Sequence, residues 1–169
     1  MNLEDVSFLF DNSELILLLR LLRCKNILFP SQEDEIDAEA ALEKLREDQL
    51  VSGSREALAV DQVIAFLLCA MDSAAFCLCV SGGGYGAIFR TVLASLVLQS
   101  HGERWLIAPF RTFAGARLSM LRVLRKLRGP CILTLRNREH TETLQFQTSN
   151  EAVQTVEALL AIEEAEVKT

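Results

Sequence analysis

Histidine, tryptophan and tyrosine are nearly missing, at two, one and one in 169 residues. Neither His101 nor His140 has ligand spacing to a cysteine, and the five cysteines form no C-x-x-C pair, so no zinc centre is expected. A cysteine–histidine nucleophilic pair has only coexistence in its favour. No apolar run is long enough to span a bilayer, and Arg20 and Arg23 interrupt the N-terminal one. The opening MNLEDVSF is acidic where a secretory signal would be basic, so a cytoplasmic protein without membrane insertion is expected. Internal repeats and low-complexity linkers are missing as well. The glycine-rich loop Gly82–Gly86 lacks the lysine and hydroxyl of a phosphate-binding loop and leads into strand-like sequence. It reads as a flexible hairpin or as a partner-contact loop carrying Tyr85. Ser81 before the glycines does not make a G-x-S-x-G elbow. Carboxylates are plentiful but surface-placed. These absences together predict a non-enzymatic chain with no cofactor.

What is present is grease. Half of the residues are apolar and the mean hydropathy is +0.24, enough for one domain with a real core. Cys24, Cys69, Cys77, Cys79 and Cys131 each sit in an apolar run and read as buried free thiols in a reducing compartment. The net charge of −6 is unevenly spread. Residues 32–48 hold eight acidic side chains, residues 104–138 hold nine of the seventeen Lys and Arg, and residues 139–169 hold seven acids and one lysine. The acidic sign argues against nucleic acid as partner. The asymmetry could steer an acidic partner, or two copies of the chain towards each other.

Residues 74–110 organise the chain. Three apolar runs, Ala75–Val80, Ala87–Leu98 and Trp105–Phe110, are separated by glycines and by His101-Gly102 and read as an antiparallel meander. In the first run Cys77 and Cys79 share one face and Phe76, Leu78 and Val80 the other, so that strand is expected to be covered on both sides. Upstream, helices are expected over Ser13–Arg23, Asp34–Asp48 and Ala59–Met71, with a turn at Leu50–Ser54 and an extended exit at Ile27–Pro30. The acids of the second helix read as a wet face. The third carries no Lys or Arg, which excludes a DNA recognition helix. Downstream, a basic amphipathic helix over Phe113–Leu127 ends at Gly129-Pro130. A hairpin of Cys131–Arg136 and Thr143–Thr148 follows, then a helix from Ser149 or Asn150 to about Ile162 and a fraying tail.

The candidate contact residues are Tyr85, Phe89, Arg90 and Trp105, because aromatic residues flanked by arginine are the mixture enriched at binding hot spots. Arg122 and Arg125, with Arg136 and Arg138 nearby in sequence, form a possible second basic surface. The order of parts carries a resemblance. A capped apolar helix leaves through ILFP. An acidic helix ends in ALEKLREDQLVSG. A helix AVDQVIAFLLCAMDSA feeds a strand, and WLIAPF precedes a helix spaced RLSMLRVLRKL. Over about residues 8–128 this pattern resembles one half of the EspG-type fold of type VII secretion chaperones.

That resemblance implies an α+β fold, a mainly antiparallel sheet flanked by helices, with a helical part over about 12–72 and sheet and helices over about 74–162. It implies a cytosolic chaperone or adaptor that keeps a helical secretion substrate soluble, engaging it through the loop around Tyr85, through Phe89 and Arg90, and through the helix of Arg122 and Arg125. The family has two such halves in one chain and 169 residues hold one. A homodimer, or pairing with a related chain, is therefore expected. The alternatives are a structural or scaffolding subunit, and a small-ligand-binding domain or enzyme using a cavity between sheet and helices.

Overall fold

The computed structural model describes residues 7–29, 34–137 and 140–167. Its centre is a seven-stranded antiparallel sheet in the order β1-β7-β6-β5-β4-β8-β9. The strands are β1 (Phe8–Asp11), β4 (Phe76–Ser81), β5 (Tyr85–Arg90), β6 (Ser95–His101), β7 (Arg104–Phe110), β8 (Cys131–Asn137) and β9 (Thr141–Phe146). A separate hairpin joins β2 (Val51–Ser54) to β3 (Ala57–Val60). The helices α1 (Asn12–Leu21), α2 (Ala38–Glu47) and α3 (Gln62–Asp72) pack with one sheet face, and α4 (Phe113–Leu124) and α5 (Ser149–Val167) cover the other.

Strand β4 shows why the sheet is a filling between two layers. Its alternation sends Cys77 and Cys79 into the core under α1 and α3, and Phe76, Leu78 and Val80 into the core under α4 and α5. All five are buried, as an apolar strand covered on both faces requires. Gly86 allows α4 to close on the sheet: a Cβ there would lie 3.0 Å from Val123 Cγ1 and 3.1 Å from Met120 Sδ.

Several elements differ from the sequence expectation. The run Ala87–Leu98 is two strands, β5 and β6, broken at Thr91–Ala94. Thr91 makes the break: its hydroxyl donates to Ala94 O at 2.8 Å and accepts from the Ala94 N–H at 3.1 Å. The segment expected as a turn plus the start of a helix is the β2–β3 hairpin, bent through Gly53 at φ +93°. Helix α3 therefore starts at Gln62, where Asp61 accepts from the Val63 and Ile64 N–H groups. Helix α2 starts at Ala38 because Asp37 caps Glu39 and Ala40. Pro30 and residues 31–33 of the expected exit and helix start lie outside the described residues, as does Arg138.

Asp11 caps α1 reciprocally with Glu14, and strand β1 precedes it, which the sequence reading had left out. Helix α4 stops at Leu124, three residues short of the expected Leu127. Strand β8 reaches Asn137, and β9 runs Thr141–Phe146 in place of Thr143–Thr148. Residues 163–167, expected to fray, continue α5, because Glu163 is buried against Arg90. Cys69 is exposed, which corrects the expectation that all five thiols are buried; none of the five is in a disulfide.

Candidate partner-binding surface

The strands place the expected contact residues unevenly. Tyr85 opens β5 but turns inward: its hydroxyl donates to Leu28 O and its ring meets Trp105 edge-on at 5.4 Å. Burial, helped by the neighbouring Cys79 and Cys77 thiols, pushes its phenol well above the ordinary value. Trp105 packs edge-on to Phe29 at 4.5 Å and donates Nε1–H to Asn12 Oδ1 at 3.1 Å. Phe89 is completely buried. These three aromatics are the core beneath the N-terminal helices, so the part assigned to them as direct contacts fails on burial. The glycine loop does not display Tyr85 either. It is tucked against the end of α4, where a Cβ on Gly84 would come within 2.9 Å of Leu127 Cδ2.

Arg90, Arg122 and Arg125 remain accessible, at two different ends of the sheet. Arg122 and Arg125 are exposed at the C-terminal end of α4, Arg125 lying 4.0 Å from Glu157. That end faces the glycine loop, where Gly82–Gly84, His101, Lys126 and Leu127 border a concavity of about 480 Å³. Arg90 closes β5 at the opposite end, its Nε donating to Glu163.

The Arg90 end carries the surface that sequence reasoning missed. The Thr91–Ala94 turn pushes Val92 and Leu93 into solvent, 93% and 72% exposed. Soluble proteins expose single apolar residues routinely, but contiguous apolar clusters mark contact sites. Here the cluster is contiguous. On one side of the turn, Phe66, Cys69, Ala70 and Ala75 join Val92 and Leu93 around a concavity of about 320 Å³, and Phe66 is 49% exposed. On the other side Arg111, Phe113 and Ala114 share a concavity of about 700 Å³ with the same turn. A third, about 480 Å³, runs past Phe76, Arg90, Leu135, Leu159 and Ile162. An apolar knob thus stands between grooves. Its flanks are charged: Arg90 with the buried Glu163, Arg117 with Glu164 at 2.9 Å, and the exposed Arg111. The signal available in the sequence was the polar pair Arg90-Thr91 interrupting the run Ala87–Leu98.

Among the described residues no helix is long and apolar enough to cross a membrane. No family model matches this sequence, and no curated protein does. Solved structures match by fold. One is the type VII secretion system chaperone EspG5 of Mycobacterium tuberculosis, solved in complex with the PE25-PPE41 dimer. It is similar over 74% of this chain with a TM-score of 0.54 and 10% sequence identity. The chain has an EspG-like α+β fold. It spans about half, 54%, of that chaperone's length. The resemblance stated from the order of helices and strands thus holds for the EspG-like architecture, a seven-stranded antiparallel sheet flanked by helices.

Proposed function

We propose that this chain is a non-catalytic protein-binding module, a chaperone or adaptor for a helical partner in a type VII-like secretion system, working in the cytoplasm. One observation carries the reading: an EspG-like sheet, matched to a chaperone solved with a protein dimer bound, ends in an exposed apolar turn between grooves. An amphipathic helix exposes an apolar stripe that needs shielding, and Val92, Leu93 and Phe66 offer apolar surface of matching kind. Burying them removes apolar area from water on both partners. The arginines at the rim, Arg90 and Arg111, favour a partner with acidic residues beside its stripe. Arg122 and Arg125 supply a weaker basic contact at the far end.

The test is co-expression with candidate helical proteins encoded beside this chain, followed by co-purification. A stable complex that is lost on Val92→Asp with Leu93→Asp supports the reading. A complex indifferent to both substitutions, or catalytic turnover by the isolated chain, overturns it.

A further inference from the structure

Among the described residues, strand β9 ends the sheet and presents an unpaired backbone edge. The opposite edge is guarded. Strand β1 is four residues long and runs straight into α1, and its last residue, Asp11, is ion-paired with Lys44 and with Arg104 at 3.0 Å. Natural sheets blunt their edges with short strands, charges, proline, bulges or a covering element. Strand β9 carries only one of these among its own residues, the charge of Glu142. TETLQF contains no proline and no basic residue, and it pairs with β8 in unbroken register from Arg136↔Thr141 to Cys131↔Phe146. Two large apolar side chains of this corner stay in solvent, one on each face. Leu144, 38% exposed, lies on the side of buried Leu133, beneath α4 and α5. Ile132, 44% exposed, lies on the other.

We propose that β9 pairs antiparallel with β9 of a second copy, about a two-fold axis normal to the sheet at Leu144. Directly opposed residues of an antiparallel pair share a face, so a symmetric register is centred on a residue. Centring on Glu142 would oppose two like charges, which destabilises a ladder. Centring on Leu144 sets Leu144 against Leu144, Thr143 against Gln145, and Glu142 against Phe146. The exposed leucine is then covered by its own symmetry mate, a polar pair lines the other face, and the carboxylates stand apart. This register covers the exposed leucine with its own symmetry mate and opposes no like charges, which selects a second copy as the occupant. The contact is small against the roughly 1,200 Å² of a standard interface, so the dimer dissociates on dilution.

The test uses the whole chain in sedimentation velocity between roughly 5 and 200 µM, the range in which a small interface fills. The mass rises with concentration from 18.8 kDa towards twice that value. Leu144→Lys sets two ammonium groups face to face and holds the chain at the monomer mass. Its circular dichroism and melting are compared with wild type to exclude misfolding. A second measurement fixes the register. In a Cys69→Ser background, Leu144→Cys under air and a copper catalyst cross-links two copies through one disulfide, the thiols passing two electrons and two protons to dioxygen. Thr143→Cys does not, because its symmetry mates are offset along the strands beyond disulfide reach. A monomer at every concentration overturns the proposal. So does a dimer that survives Leu144→Lys, equal cross-linking of the two cysteine variants, or a monomer whose β9 is filled by another protein's extended segment. None of these outcomes bears on the apolar turn, so the partner-binding reading fails or stands separately.

Discussion

Replacing Val92 and Leu93 together by aspartate separates binding from folding. Both side chains are in solvent already, 93% and 72% exposed, so little buried area is lost in the free chain. Surface substitutions of this kind change stability by about 0.5 kcal/mol or less. Thr91, whose hydroxyl holds the turn, is left intact. On docking, fully burying a valine or leucine is worth roughly 1.5–3 kcal/mol. Scaled by the exposure each side chain has left to lose, the pair contributes about 3 kcal/mol. That corresponds to roughly a hundredfold or more in Kd, before the cost of burying two carboxylates. Urea denaturation followed by circular dichroism reports the first quantity; titration of a co-purifying helical partner by calorimetry reports the second. An unchanged unfolding midpoint with at least a hundredfold weaker binding is the expected result. If affinity drops less than threefold, the turn is not the contact and the reasoning from exposed area is wrong. If the midpoint collapses, Val92 and Leu93 hold the fold in a way their exposure denies.

Four other outcomes are expected. Arg122→Glu with Arg125→Glu weakens partner capture by no more than roughly thirtyfold, since exposed charges are screened and each is worth about 1 kcal/mol or less, and a pull-down titrated with salt measures it. Lys44→Met destabilises the chain by roughly 1–3 kcal/mol in urea, because it strips the cation 3.2 Å from the buried Glu14 carboxylate, and adding Glu14→Gln recovers part of the loss. At acid pH, hydrogen bonding to Lys44, with the charges of Lys44 and Arg104, holds the Asp11 carboxyl below its ordinary value of 3.8. Its contribution is complete above that value and is lost as pH falls through the lower folded one, so Asp11→Asn flattens the acid limb of a stability–pH curve. With a maleimide at pH 8, one thiol reacts fast and Cys69→Ser removes it. Burial pushes the Cys24 thiol up to about 12 and raises Cys77, Cys79 and Cys131 too, so these react only on unfolding, as mass spectrometry reads out.

The alternation of residues 76–80 was enough to place both faces of β4, because a strand walled on both sides leaves no polar residue to misread. Helix starts were legible to within a few residues wherever an aspartate or threonine could cap, as at Thr112 for α4. Two things were hidden. One is the turn at Thr91–Ala94. Periodicity reads an apolar residue as a buried one, and Val92 and Leu93 are apolar and exposed, so the proposed contact surface was disguised as the middle of a strand. The other is the fate of the aromatics. Tyr85, Phe89 and Trp105 have the composition of a hot spot, but a hot spot and a core draw on the same residues. Only the close contacts of Trp105 with Phe29, Tyr85 and Asn12 decide between them.

A sheet clad on both faces keeps only its ends and its edges for other molecules, and this decides how the two proposed contacts combine. The apolar turn lies at the end where β5 stops and β6 starts, and the free edge is β9. A two-fold axis normal to the sheet reverses strand direction, so the turns of two paired copies point to opposite ends of the fourteen-stranded sheet that results from joining two sevens. One short helix cannot touch both turns. Pairing through β9 therefore adds no avidity for such a partner, and each copy holds its own. Calorimetry on the wild-type chain and on Leu144→Lys then gives the same affinity and one partner per chain. A wild-type affinity tenfold above that of the monomeric variant would mean that the two turns converge, and that the axis at Leu144 is misplaced.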